Sequence, residues 1–123
     1  MTAPLKVAVQ MDPMEGLKIG GDSTFALMLS AQGRGHRLWH YEASDLTWRG
    51  GRLWAKARVV TVQRVEGDHF RFGAEAMLDL GSDVDVVLMR QDPPFDLSYI
   101  TATHLLERIE GETLVVNKPG SVR

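Results

Sequence analysis

Val84-Asp85-Val86-Val87-Leu88-Met89, followed by Arg90-Gln91-Asp92-Pro93-Pro94, is the stretch on which the fold turns. Its first half is a nearly continuous apolar, β-branched run, the pattern of a parallel strand buried on both faces. Its second half ends that strand, because consecutive prolines remove the backbone donors a ladder needs. Downstream, a helical pattern begins near Ser98, with Ala102, Leu105, Leu106 and Ile109 as its apolar stripe and Gly111 as its stop. Thr113-Leu114-Val115-Val116-Asn117 then reads as a last strand before Lys118-Pro119-Gly120 turns away. Strand, helix and strand in that order predict a parallel pair joined by a right-handed crossover.

The N-terminal third repeats this logic. Leu5-Lys6-Val7-Ala8-Val9-Gln10-Met11 is a short β-prone run stopped by Asp12-Pro13, and a glycine-bearing loop follows from Met14 to Gly21. Asp22 or Ser23 then caps a helix whose apolar positions Phe25, Met28 and Leu29 lie three and four apart, with Gly33 or Gly35 to end it. Arg37-Leu38-Trp39-His40-Tyr41 reads as the next strand. The stretch from Leu46 to Phe72 breaks the alternation. Trp48 and Leu53 flank a Gly50-Gly51 turn, Ala55, Ala57 and Val59 alternate with Lys56 and Arg58, and Glu66-Gly67-Asp68 leads into His69-Phe70-Arg71-Phe72. Antiparallel hairpins are predicted there. The expected class is therefore α/β, a mostly parallel sheet flanked by helices with hairpins inserted.

The 123 residues suit one domain able to bury its own core, and 44% hydrophobic with 24% charged residues is the balance of an ordinary globular chain. A net charge of −2 argues against a nucleic-acid partner, which would want a basic face. Without cysteine there is no disulfide and no thiol chemistry, which fits a reducing compartment. The opening Met-Thr-Ala-Pro-Leu-Lys lacks the pattern of a signal peptide. No run approaches the roughly 20 apolar residues of a membrane span. The expectation is a cytoplasmic protein that touches no membrane.

Ligands of open parallel sheets sit beyond the carboxyl ends of the strands. Two loops fall there. The first is Met11-Asp12-Pro13 together with the helix start at Asp22-Ser23-Thr24, whose free N–H groups and dipole suit a carboxylate or phosphate. The same residues serve equally as an ordinary turn and cap. The second begins with Arg90, whose guanidinium is costly to desolvate without an anionic partner. That partner is either a ligand or an internal acid, Asp92 or Asp12, and Pro93 and Pro94 stiffen the loop around it. Other constellations are poor. His36, His40, His69 and His104 do not form metal-ligand spacing, and Gly16, Gly20 and Gly21 do not make a dinucleotide fingerprint. No phosphate-loop motif, nucleophile elbow or nucleophile–base pair is present.

At these two loops the sequence resembles a known family. Val9-Gln10-Met11-Asp12-Pro13, Asp22-Ser23-Thr24-Phe25-Ala26, Ala31-Gln32 before Gly35-His36, Val87-Leu88-Met89-Arg90-Gln91-Asp92-Pro93-Pro94-Phe95-Asp96 and Val116-Asn117-Lys118-Pro119 are similar, in order, to the N-terminal domain of bacterial glutathione synthetase. The hairpin stretch from Trp48 to Phe72 is the least family-like. The resemblance implies a Rossmann-like domain standing before an ATP-grasp module, in a homo-oligomeric enzyme. That enzyme joins γ-glutamylcysteine to glycine with ATP and magnesium through an acyl phosphate. It implies that Met11, Asp12, Pro13, Ser23, Arg90, Asp92 and Pro93 face γ-glutamylcysteine or glutathione. ATP and magnesium would belong to the ATP-grasp part, outside these residues, so no catalytic group, metal or cofactor is expected in this chain, nor activity from it alone. The competing readings are a stand-alone small-anion or receiver-like module, in which Asp12 or Asp92 would need neighbouring acids, and a purely structural domain in which Arg90 pairs internally.

Overall fold

The computed structural model describes residues 4–90 and 97–116, with side chains for 4–90 and 101–116. Seven strands and two α-helices run in the order β1 (Lys6–Gln10), α1 (Ser23–Gly33), β2 (Arg37–Tyr41), β3 (Leu46–Arg49), β4 (Arg52–Val62), β5 (Phe70–Asp79), β6 (Val86–Met89), α2 (Leu97–Glu107) and β7 (Leu114–Val116). The class is Rossmann-like α/β. β2, β1, β6 and β7 form a parallel core in which Val7 lies beside Leu38 on one side and Val86 on the other. The antiparallel β3, β4 and β5 join it through β2, with Leu38 opposite Val60.

The two helices cover opposite faces. Val7 and Val9 of β1 and Met11 just beyond it pack with Phe25 and Met28 of α1, with Leu38, and with Val60 and Val62 of β4. Ala8 of the same strand points to the other side, into a cluster with Val87, Met89, Leu106, Ile109 and Val115. This is the period-two alternation of a strand serving two cores.

Asp22 caps α1, its carboxylate accepting the Phe25 N–H at 2.9 Å. A cap of this kind contributes about 1 kcal/mol. Gly35, at φ +87°, takes the left-handed conformation that lets the chain leave the helix, while His36 N–H returns to the Ala31 carbonyl at 3.1 Å. Gly50 and Gly51, at φ +62° and +76°, supply the two positive φ values that a tight β3–β4 hairpin requires.

Three expectations are altered. β5 reaches Asp79 rather than ending near Phe72, because its register shifts opposite Arg58 to Val60 and hides the alternation. β6 is covered unequally on its two faces. Val87 and Met89 are buried, while Val86 and Leu88 are half-buried against the cluster that holds Phe25 and Met28 of α1. α2 stops at Glu107, four residues before Gly111, and turns carry the chain to Thr113, whose hydroxyl donates to the Leu80 carbonyl at 2.6 Å. The expected Asp92-Pro93-Pro94 loop, Asn117 and the Lys118-Pro119-Gly120 turn lie outside the described residues.

Gln10, Trp39 and Tyr41 share the α2 face at neighbouring register positions, and the polar atoms of all three side chains are buried with no hydrogen-bond partner among the described residues. Burial first, and the nearby Asp45 carboxylate second, push the Tyr41 phenol far above its usual value of 10.0. Stability is therefore unaffected by this group below about pH 10 and falls above it, as the unfolded chain deprotonates while the folded one does not. Urea melts above pH 10 should show a slope of about 1.4 kcal/mol per pH unit from this residue, absent in Tyr41→Phe. An equal slope in that variant would remove Tyr41 as the cause. At neutral pH the substitution should be close to neutral, since it deletes a hydroxyl that has no hydrogen-bond partner among the described residues.

No helix among the described residues is long and apolar enough to cross a membrane.

Candidate functional site

The parallel core places its switch point between β1 and β6. β1 leads through α1 to β2 on one side, and β6 leads through α2 to β7 on the other. The ladder continues one residue past each strand. Met11 N–H donates to the Tyr41 carbonyl at 3.1 Å, and Arg90 N–H donates to the Gln10 carbonyl at 2.8 Å. Asp12 and Arg90 are thus carried to the same crevice by backbone pairing alone.

There the structure holds a pocket of about 190 Å³ lined by Met11, Asp12, Pro13, Gly16, Leu17, Asp22, Thr24 and Arg90. Four of the residues singled out from sequence, Met11, Asp12, Pro13 and Arg90, meet in its wall. Ser23 stands beside it through Arg90. The guanidinium Nη2 donates to the Ser23 hydroxyl at 2.6 Å and Nε donates to the Thr24 hydroxyl at 3.2 Å. Asp92 and Pro93 lie outside the described residues.

These contacts resolve one open choice. Asp22, not Ser23, caps α1, which leaves the Ser23 hydroxyl to accept from Arg90. Among the described residues Arg90 donates to these two hydroxyls, which orient its guanidinium, while Asp92, one of its expected partners, lies outside them. With Asp12 and Asp22 in the same wall, the pocket carries both signs of charge. Two anions and one cation around a small cavity are complementary to a zwitterion, with its ammonium toward the acids and its carboxylate toward the arginine fork.

Sequence reasoning passed over Thr24 as a contact of Arg90, although Thr24 stands next to Ser23. It also treated His40 and His69 only as poor metal candidates. Both are buried, and both bind carbonyls of the loop after β1. His40 Nε2 lies 3.1 Å from the Asp12 oxygen, and His69 Nε2 lies 2.7 Å from the Met14 oxygen. Nothing local could have shown the second contact, which joins residues 55 positions apart. Among the described residues no three His, Cys, Asp or Glu side chains gather as a metal cage.

A parallel core flanked on both faces, with a pocket of mixed charge at its switch point, defines a Rossmann-like α/β domain whose candidate site is built from the ends of β1 and β6. The family described as prokaryotic glutathione synthetase, N-terminal domain, matches residues 5–123, and the chain belongs to it. Its relatives include glutathione synthetases of Rhodopseudomonas palustris, 57% identical over 97% of this chain, and of Brucella melitensis, 54% identical over 97%. That of Yersinia pestis is 48% identical, again over 97% of this chain. The chain spans 37 to 38% of the length of these relatives.

Proposed function

We propose that this chain is the substrate-side portion of an ADP-forming ligase that joins γ-glutamylcysteine to glycine, and that its switch-point pocket receives one charged end of γ-glutamylcysteine or glutathione. The observation that carries this reading is the meeting of Arg90, Asp12 and Asp22 in one wall, with Arg90 oriented by Ser23 and Thr24. A cavity of about 190 Å³ is below the roughly 300–1,000 Å³ of pockets that enclose a whole drug-sized ligand. It suits one amino-acid-sized end, with the rest of the site supplied by other parts of the protein.

In such a ligase the dipeptide carboxylate takes the terminal phosphoryl group of ATP, releasing ADP. The glycine amine then attacks the acyl phosphate, loses a proton and displaces phosphate. The part played by this chain is binding and orientation. Arg90 meets a carboxylate of the dipeptide, and Asp12 and Asp22 favour its ammonium. Holding the reactant in one geometry lowers the entropic part of the barrier. The described residues do not fit a magnesium site, and no step is assigned to a metal here. ATP and magnesium are assigned to an ATP-grasp portion outside these residues.

The direct test is product analysis. Full-length protein carrying this chain should release phosphate from ATP only when γ-glutamylcysteine and glycine are both present, forming glutathione in equal amount. The 123-residue chain alone should form none. Glutathione made by the isolated chain, or phosphate release indifferent to γ-glutamylcysteine, would overturn the reading.

A further inference from the structure

The segment that walls the pocket, residues 12–19, has few backbone bonds of its own. Pro13 lacks an N–H, and the local bonds are Gly16 N–H to the Pro13 carbonyl and Leu17 N–H to the Met14 carbonyl, each at 3.2 Å, with Gly21 and Asp22 N–H both donating to the Lys18 carbonyl at 3.3 and 3.1 Å. Three of its carbonyls are instead reached by side chains from distant elements. His40, on β2, reaches Asp12. His69, just before β5, reaches Met14, and Arg64, in the β4–β5 connection, donates from Nη1 to Ile19 at 3.0 Å.

Two of these three anchors therefore sit on the hairpin insertion. That hairpin is itself fastened to α1, because the Gln32 carboxamide donates to the Val62 carbonyl and accepts from the Val62 N–H, each at 2.8 Å. His69 is the most constrained of the anchors. It is 8% exposed, its ring meets Phe25 and Phe70 edge-on, and its Nε2 is 2.7 Å from a carbonyl that also takes the Leu17 N–H. With a carbonyl as partner, Nε2 must carry the proton and donate.

We infer that His69 is a positioning residue for the pocket, and that the β4–β5 hairpin sets the place of the Asp12–Leu17 wall through it. His69 does not line the pocket. It acts through Met14, which is fully buried and covalently linked between the lining residues Pro13 and Gly16 by a single turn. The kinetic part of this inference rests on the function proposed above, and the structural part does not.

The experiment compares His69→Leu with His69→Gln, whose carboxamide N–H can stand in for Nε2–H. In full-length protein, His69→Leu should raise KM for γ-glutamylcysteine by about five- to tenfold with kcat changed less than about twofold, the signature of lost ground-state binding. His69→Gln should bring KM back to within about twofold of the parent. In the 123-residue chain, amide hydrogen exchange should speed up by about tenfold at Gly16 and Leu17 in His69→Leu, with the amides of β1 unchanged. Unchanged KM together with unchanged exchange at Gly16 and Leu17 would overturn the inference. So would an equal loss of protection throughout β1, which would mark a general packing role. If the parent protein makes no glutathione, the proposed function falls, and the exchange comparison alone decides whether His69 holds the loop.

Discussion

Arg90→Ala in full-length protein should lower kcat/KM for γ-glutamylcysteine by roughly 10- to 150-fold, the equivalent of losing about 1.5–3 kcal/mol from a hydrogen bond to a charged group. The fold should survive. The Arg90 backbone N–H, which continues the β1–β6 ladder to Gln10, is untouched by the substitution. The Ser23 hydroxyl it leaves behind is exposed and can turn to water. Arg90→Lys should recover only part of the loss, because an ammonium keeps the charge but cannot span the Ser23 and Thr24 hydroxyls as a fork does. Steady-state kinetics beside thermal melts read both consequences. A lowered melting temperature with unchanged kinetics would assign Arg90 to the fold and remove it from the site.

Phe25→Ala carries the largest expected cost in stability, about 3–5 kcal/mol. That is a large share of the roughly 5–15 kcal/mol that holds a domain together. Phe25 is fully buried among Val7 and Val9 of β1, Met11 after it, and the facing residues of β4. Its ring meets His69 edge-on at 6.0 Å, and its backbone N–H is the one capped by Asp22. Truncation empties the space between α1 and the sheet and removes the surface against which His69 is held. Phe25→Leu keeps most of the volume and should cost markedly less. Urea denaturation should show a fall in midpoint with little change in slope. A midpoint within experimental error of the parent would show that this core does not depend on the ring.

The two predictions fall on different parts of one molecule, and the line between them follows what can be read from residues in a row. The β-α-β units were legible because their signals are local: alternation in Leu5–Met11, the cap and three-four spacing from Asp22 to Leu29, and the apolar run before Arg90. Gly50-Gly51 announced its hairpin for the same reason, since both residues must adopt positive φ. β5 was half-read. The register shift opposite Val59 breaks the period on which a strand is recognised.

The candidate site divides in the same way. That Asp12 and Arg90 end neighbouring strands follows from the strand pattern and the topology rules, and the resemblance to bacterial glutathione synthetase pointed to the same two loops. Which hydroxyls orient Arg90 and which histidines hold the loop were decided only by tertiary structure. Each is a contact between residues that sequence distance does not rank. Arg90 lies 67 positions from Ser23, and His69 lies 55 from Met14. Backbone pairing and hydrophobic periodicity are dictated by neighbours along the chain, so the sequence by itself determined the parallel sheet and the edge at which a ligand would sit. Side-chain hydrogen bonds across the fold depend on where packing brings distant segments. The hydroxyl clamp on Arg90 and the hairpin's grip on the pocket wall therefore came from the tertiary structure alone.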